Sequence, residues 1–198
     1  MNNIPLILAS ASSARLKLLN QILIKPDKIH PADINENPLK GELPNHLALR
    51  LAKEKAQKVS QDFTNAYILA ADTVSACGRR ILPKALSDDE VRDCLNLLSG
   101  RRHKVYTGVA VSKVIEGKII KISFKIVTSI LRFKRLSIDE IKEYIDSKEG
   151  LGKSGGCNID GLAESYLIWM SGSYSNIIGL PLYETKSLLT GLGYIMKE

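Results

Sequence analysis

The stretch Leu6-Ile-Leu-Ala-Ser-Ala-Ser-Ser-Ala-Arg15-Leu-Lys-Leu-Leu19 decides how the fold begins, because it joins a short apolar run to a helical pattern. Its first four residues have the length of a buried strand, and the apolar residues after Arg15 recur at steps of three and four. Ser12 or Ser13 is therefore predicted to cap a helix. A helix N-terminus that carries Ser10, Ser12 and Arg15 suits a phosphate. An ordinary serine cap beside a solvated arginine explains the same residues.

Composition limits the classes of protein. The 198 residues include 28 Lys and Arg against 21 Asp and Glu, giving a net charge of +7, and 44% are hydrophobic. These values are typical of a soluble globular protein, and the basic balance favours polyanionic partners such as nucleotides or nucleic acid. Neither a signal peptide nor a membrane-spanning segment is expected. Three cysteines in no metal-ligand spacing favour a reduced, cytoplasmic protein.

Residues 44–60 give the clearest helical pattern in the chain. Their apolar positions span about 180° of the helix, and Lys55 falls inside this arc. Its ammonium must either extend to the edge of the core or meet a negative charge, which could be a ligand phosphate. Lys55 is therefore a candidate binding residue.

A single carboxylate, Asp72, interrupts the apolar strand predicted from Tyr67 to Val74. Burying an unpaired carboxylate is costly, so Asp72 needs a partner or a function. A salt bridge, metal coordination and a general-base role each account for it.

The second half of the chain is built around two long strands, predicted over 105–114 and 119–133 and joined at Gly117. Capping boxes at Ser87 and Ser137 predict helices on either side of this hairpin, and Gly172–Asn176 is predicted to be a turn. Helices and strands thus alternate around an antiparallel hairpin. We predict an α/β fold with a mixed sheet and helices on both faces.

A basic run, Arg101-Arg-His-Lys104, precedes the first long strand. His103 is expected to be solvated within it. The run could contact nucleic acid, but no aromatic residue is interleaved with it for base stacking, so such binding is not expected.

Eight stretches in order resemble the Maf family of nucleoside triphosphate pyrophosphatases. The segment from Leu8 to Arg15 is similar to the family's LAS-x-S-P-R-R loop, and Ala32–Glu36 to its D-I-D-E segment. The remaining similarities are Arg50–Ala56, Ala71–Thr73, Leu82–Lys84, Leu98–Gly100 with His103 and Thr107–Gly108, Lys153–Gly155, and Gly172–Leu182. The resemblance implies a single Maf-like domain over residues 1–198, with a twisted mixed sheet and two lobes flanking a central substrate cleft.

The resemblance also implies hydrolysis of a nucleoside triphosphate to the monophosphate and pyrophosphate, with Mg²⁺ or Mn²⁺ as cofactor and a house-cleaning role. Asp72 would be the general base and would share the metal with Glu36. Ser10, Ser12 and Arg15 would hold phosphate oxygens, and Lys55 and Lys84 would offset charge on the leaving pyrophosphate. A homodimer is left open, and no membrane partner is expected.

The chain departs from the family where the base is read. In the branch that hydrolyses dTTP and UTP, specificity is associated with an arginine, a threonine and a glutamine, where this chain has Ala14, Thr73 and Asp160. Thr73 alone matches, so we expect weakened pyrimidine selectivity. The alternative function is a non-catalytic protein that binds nucleic acid or a cell-division partner through basic residues: Arg79, Arg80, Arg101, Arg102 and Lys104.

Overall fold

The computed structural model describes residues 4–195. The strands are β1 (Leu6–Leu8), β2 (Lys28–Ile29), β3 (Ala66–Cys77), β4 (Arg80–Leu82), β5 (Arg102–Ile115), β6 (Lys118–Phe133) and β7 (Leu167–Ser171). The helices are α1 (Ser13–Gln21), α2 (Pro44–Ser60), α3 (Asp88–Leu98), α4 (Ile138–Asp146), α5 (Tyr174–Ile178) and α6 (Leu182–Gly191), with a 3₁₀ turn at Leu162–Tyr166. Among these residues, no helix has the length and apolar character needed to cross a bilayer.

One sheet connects all the strands, in the order β2-β1-β3-β5-β6-β7, with β4 paired to the far end of β3. The first three strands in this order are parallel, whereas β3, β5, β6 and β7 run antiparallel to their neighbours. Helices lie on both faces of the sheet, as the core clusters below show. The predicted α/β fold with a mixed sheet is therefore confirmed.

One edge of β3 is open in its middle. β1 pairs with residues 67–69 and β4 with residues 75–77. Within the described part of the chain no strand pairs with residues 70–74 along this edge, because β1 ends before them and β4 begins beyond them. The edge is therefore free to carry a site between two pairing partners.

Alternation along the strands divides the core between the two faces. Helix α2 covers one face, where Ala52 and Ala56 pack against Ile68 and Ala110. On the other face α1 and α6 pack near β1, while α3 and α4 form a separate cluster around Leu131 and Phe133. These two groups of helices form the two lobes, and the open edge of β3 lies between them.

A glycine lets α2 lie close to the sheet. Gly108 on β5 pairs with Asp72 on β3, and a Cβ at Gly108 would stand 2.3 Å from the carbonyl oxygen of Ala48 on α2. Any side chain at this position would therefore push the helix away. The close approach places the next turns of α2 within reach of Asp72.

Three predictions of local structure need correction. His103 is buried, with 3% of its surface exposed, because β5 begins at Arg102 and strand alternation turns His103 inward against Phe133. Residues of the predicted turn after Gly172 begin helix α5, which Ser173 caps by accepting from the amide of Asn176. The capping box at Ser137 is complete, but at Ser87 the Glu90 carboxylate accepts from the amide of Leu86 instead.

Candidate active site

A cleft of about 720 Å³ opens beside the free edge of β3. Its walls come from the loop before α1, from α2 and β3, and from the glycine-rich segment 152–160. The cleft brings together all the candidate site residues predicted from the sequence: Ser10, Ser12, Arg15, Glu36, Lys55, Asp72, Thr73, Lys84 and Asp160.

Two lysines and two carboxylates alternate at the charged end of the cleft. The Lys55 Nζ lies 2.6 Å from Asp72 Oδ1 and 2.6 Å from Glu36 Oε1, and the Lys84 Nζ lies 2.9 Å from Glu36 Oε2. Lys55 and Asp72 are buried, whereas Glu36 is partly exposed. The negative charge that Lys55 was predicted to require is thus supplied by the protein itself.

The same contacts determine the ionisation of Glu36. Burial alone would raise its pKa, but hydrogen bonds and charges from Lys55 and Lys84 outweigh that effect and lower the pKa to about 2. The Glu36 carboxylate is therefore ionised throughout the physiological pH range.

Arg15 is fixed in the cleft wall by three hydrogen bonds. Its Nε donates to the Gly179 carbonyl at 2.8 Å, one terminal nitrogen to Ser10 Oγ at 2.9 Å, and the other to Thr73 Oγ1 at 3.3 Å. Burial lowers the pKa of Arg15, while the charges of Asp72 and Glu36 oppose that shift. A guanidinium has five N–H donors, so two remain for an anion in the cleft.

Behind Arg15 the hydrogen bonds run in one direction. Thr107 Oγ1 donates to the Asn176 carbonyl at 2.9 Å and lies 3.0 Å from Thr73 Oγ1. Because a hydroxyl has one proton, Thr107 must accept from Thr73, and Thr73 in turn accepts from Arg15. The hydroxyl proton of Thr73 is therefore donated to Thr107, so Thr73 can only accept a hydrogen bond from a ligand.

Thr107 and Asn176 were not among the predicted site residues. Both are fully buried, and the Asn176 amide nitrogen also donates to Ser129 Oγ at 2.9 Å and to the Val105 carbonyl at 3.2 Å. Asn176 thereby ties α5 to β5 and β6, and Gly179, whose carbonyl Arg15 contacts, directly follows this helix. The sequence held two signals for this network: Thr107 is a polar residue within an apolar strand, and Thr107 and Asn176 both lie in stretches that resemble the family.

The glycine-rich segment closes the cleft on the side of the second lobe. Ser154 Oγ accepts from the Ser75 amide at 3.0 Å, and Ser154 also pairs with Lys84 as an isolated bridge. Gly155 adopts a φ of +70°, and a Cβ added at this residue would lie 3.1 Å from the Ser75 side chain. Glycine is thus required both for the backbone conformation and for the close approach.

The other end of the cleft is mainly apolar. Ile159 and Ile177 line it together with His103, whose Nδ1 is buried and has no hydrogen-bond partner among residues 4–195. Burial lowers the pKa of His103 to about 4, so the imidazole is neutral at physiological pH. Asp160 is exposed at the rim and accepts a hydrogen bond from the Tyr174 hydroxyl at 3.3 Å. This end suits a flat, largely apolar group with polar edges.

The charged end has a limited set of metal ligands. Among residues 4–195 no group of three His, Cys, Asp or Glu side chains is placed to hold a metal ion. The carboxylates of Glu36 and Asp72 both contact the Lys55 ammonium, so they lie close enough together to serve as two ligands of one ion. Mg²⁺ commonly uses one or two carboxylates and completes its shell with water and substrate phosphates. The pair fits an ion that binds together with a polyphosphate.

Comparison with known proteins identifies relatives over nearly the whole chain. Residues 5–192 match the family described as Maf-like protein. The nucleoside triphosphate pyrophosphatase of Orientia tsutsugamushi (strain Boryong) is 51% identical over 194 residues, which cover 98% of this chain and 95% of that protein. The protein of the same name from Rickettsia akari (strain Hartford) is 54% identical over 193 residues, covering 97% and 96%.

Among solved structures, a HAM1 protein from Coxiella burnetii has a TM-score of 0.43 at 18% identity and covers 67% of this chain and 74% of its own. The match to the family is far more extensive in both length and identity. This chain belongs to the Maf family.

Proposed function

We propose that the protein is an enzyme that hydrolyses nucleoside triphosphates between the α- and β-phosphates, releasing the monophosphate and pyrophosphate. The observation that supports this most directly is the cluster of Lys55, Asp72, Glu36 and Lys84 in one cleft. The relatives from Orientia tsutsugamushi and Rickettsia akari are named nucleoside triphosphate pyrophosphatase, which supports the same class of reaction.

In this proposal the charged end of the cleft binds the triphosphate. Arg15 has free donors there, and the N-terminus of α1 lies beside Ser10 and Ser12. Lys55 and Lys84 would exchange part of their contact with carboxylates for contact with phosphate oxygens. They would then stabilise negative charge that builds on the leaving pyrophosphate.

Asp72 would accept a proton from the attacking water. The water oxygen forms a bond to the α-phosphorus while the bond from that phosphorus to the bridging oxygen breaks, and the pyrophosphate leaves with the bonding electrons. The neighbouring ammonium of Lys55 keeps the Asp72 carboxylate in place at 2.6 Å. A divalent cation held by Glu36 and Asp72 would neutralise phosphate charge when bound.

The apolar end would receive the base, and Asp160 would contribute to its selection. A carboxylate only accepts hydrogen bonds, whereas uracil and thymine present one N–H between two carbonyls. Guanine presents adjacent N–H donors, which suit a carboxylate better. We therefore propose broad base selectivity in place of a strict preference for dTTP and UTP, consistent with a house-cleaning enzyme in the cytoplasm.

A direct assay tests this function. Purified protein is incubated with UTP, dTTP, CTP, GTP and 7-methyl-GTP, with Mg²⁺, Mn²⁺ or EDTA, and the nucleotide products are separated by chromatography. We expect monophosphate and pyrophosphate in equal amounts, and only when metal is present. Release of orthophosphate and diphosphate would contradict cleavage at the α-phosphorus, and no turnover with any metal would favour the non-catalytic binding protein.

A further inference from the structure

The basic charge of the protein is concentrated in one hairpin. Residues 101–135, which contain β5 and β6, include ten Lys and Arg and one Glu, so this segment carries +9 and the rest of the chain −2. The predicted active site lies mostly outside this segment. The excess of positive charge therefore needs a separate explanation.

Sheet register gathers part of this charge beside an aromatic ring. Arg102 on β5 pairs with Arg132 on β6, which pairs with Trp169 on β7, so the three side chains share one face of the sheet. The Arg102 guanidinium stands over the indole at 5.1 Å from the ring centroid, and 43% of Trp169 is exposed. Lys104 lies two residues along the same face.

The same face continues along β6 to a second aromatic residue. Alternate residues lead from Arg132 through Ile130 to Phe124, and the Lys53 Nζ of α2 lies over the Phe124 ring at 4.5 Å. Eight residues of strand span about 27 Å. We name this surface the β6 stripe, and it consists of Lys53, Arg102, Lys104, Phe124, Ile130, Arg132 and Trp169.

The cations of the β6 stripe are not neutralised by other residues in the range 4–195. Across the described residues, no carboxylate forms an ion pair with Arg102, Lys104 or Arg132, and none of the stripe residues lines the cleft. Lysines elsewhere on the surface, such as Lys142 and Lys148, do have carboxylate partners. The stripe therefore presents free positive charge with an aromatic residue at each end.

We propose that the β6 stripe binds single-stranded nucleic acid, with phosphates on its cations and bases stacked on Trp169 and Phe124. Helix α2 covers the inner part of this face, and the stripe beyond it keeps Phe124 and Trp169 exposed beside its cations. Such an arrangement suits unpaired bases, which stack on rings and on guanidinium planes. No aromatic residue is interleaved within Arg101–Lys104 in the sequence, and Trp169 reaches Arg102 only through the order of strands. A second copy of this chain would bring the same positive charge and is disfavoured.

The single tryptophan of the chain provides the test. Trp169 fluorescence is followed while an oligothymidylate of roughly a dozen residues is added at low salt. We expect quenching that saturates, and an affinity that falls as salt rises because phosphate contacts release counterions. The double variant R102E/R132E should weaken binding about 10-fold or more. The matched variant K58E/K186E makes the same change in net charge on exposed residues outside the stripe and should retain binding.

Two further measurements keep this proposal separate from the hydrolase function. Oligonucleotide binding should persist in the Asp72→Asn variant and in the presence of saturating nucleoside triphosphate, and R102E/R132E should hydrolyse nucleotides normally. Equal loss of binding in both double variants, or equal competition by heparin, which has no bases, would overturn the proposal. Fluorescence that depends on protein concentration without oligonucleotide would assign the stripe to a second copy and would also overturn it.

Discussion

The two ends of the cleft differ in how their polar groups are satisfied before a ligand arrives. At the charged end, Lys55 contacts two carboxylates and Arg15 makes three hydrogen bonds. At the apolar end, His103 Nδ1 has no hydrogen-bond partner within the described part of the chain, and Asp160 accepts a hydrogen bond from Tyr174 at the exposed rim. Changes at the charged end should therefore affect stability and turnover together, whereas changes at the apolar end should affect pH dependence and base selection.

The largest effect is expected at Asp72. Asp72→Asn keeps the shape of the side chain and a hydrogen bond to Lys55 but removes the proton acceptor. We expect the fold to persist, by circular dichroism and thermal unfolding, and kcat to fall by about 100-fold or more. The control is Asp62→Asn, at an exposed carboxylate outside the cleft. Turnover that is unchanged in a folded Asp72→Asn protein would exclude Asp72 from proton transfer.

Lys55→Met tests whether the charged end couples stability to activity. Removal of this ammonium leaves the buried Asp72 carboxylate without its cation, and breaking a buried pair in this way costs about 3 kcal/mol. We expect a lower free energy of unfolding in urea together with a large loss of turnover.

The double variant Lys55→Met/Asp72→Asn is the control for this coupling, because it removes both charges. It should recover part of the stability but none of the activity. A Lys55→Met protein as stable as the wild type would show that the pair contributes nothing to folding.

The two ends of the cleft also differ in how far their contacts could be predicted from the sequence. The bounds of α2 and the inward position of Lys55 follow from periodicity, because a long amphipathic helix specifies its own buried face. The contact of Glu36 with both Lys55 and Lys84 does not follow, since Glu36 lies in a loop without regular pattern. For such a residue only the tertiary fold sets the distance.

The apolar end was predicted less well for a related reason. His103 stands in a run of charged residues, and its burial could be inferred only if the strand was known to begin at Arg102. The network through Thr107 and Asn176 joins positions 69 residues apart. Patterns among neighbouring residues cannot reveal a contact of that range. The resemblance to the family did, however, identify Asp160 as a candidate, and Asp160 lines the cleft.

His103 should give the apolar end a distinct pH dependence. Its pKa is about 4 in the folded protein against 6.5 as the ordinary value, so the unfolded chain binds more protons between these limits. Stability from this group is therefore present above pH 6.5 and is lost as pH falls towards 4, by about 2 to 3 kcal/mol. Glu36 contributes to the pH dependence only at lower pH, because its pKa is lowered from 4.5 to about 2.

The measurement is urea unfolding across this pH range. His103→Gln should flatten the curve between pH 6.5 and 4, while the same substitution at the exposed His46 should keep the wild-type slope. An unchanged slope in His103→Gln would assign the pH dependence to other groups.

Thr107→Val tests the link between the buried network and Arg15. Valine keeps the shape of threonine but breaks the directed chain, so Thr73 loses its acceptor and can rotate away from Arg15. We expect KM for the triphosphate to rise about 10-fold, the value of one hydrogen bond to a charged group, with a smaller change in kcat. Thr107→Ser should restore KM. Thr185→Val removes a comparably buried hydroxyl in α6 and should lower stability without changing KM.

The smallest effect is expected at Asp160, where exposure limits the strength of any hydrogen bond to the base. A glutamine amide can donate to a carbonyl and accept from an N–H of the same pyrimidine, which a carboxylate cannot do. Asp160→Gln should therefore raise the kcat/KM ratio of UTP or dTTP to GTP by about 10-fold, or one net hydrogen bond. Tyr174→Phe, which removes the hydroxyl that now contacts Asp160, shows whether this contact orients the carboxylate.

A wild-type preference for UTP and dTTP over GTP of more than about 1000-fold would exceed the selectivity that one hydrogen bond supplies. Such a preference would show that other groups in the cleft read the base.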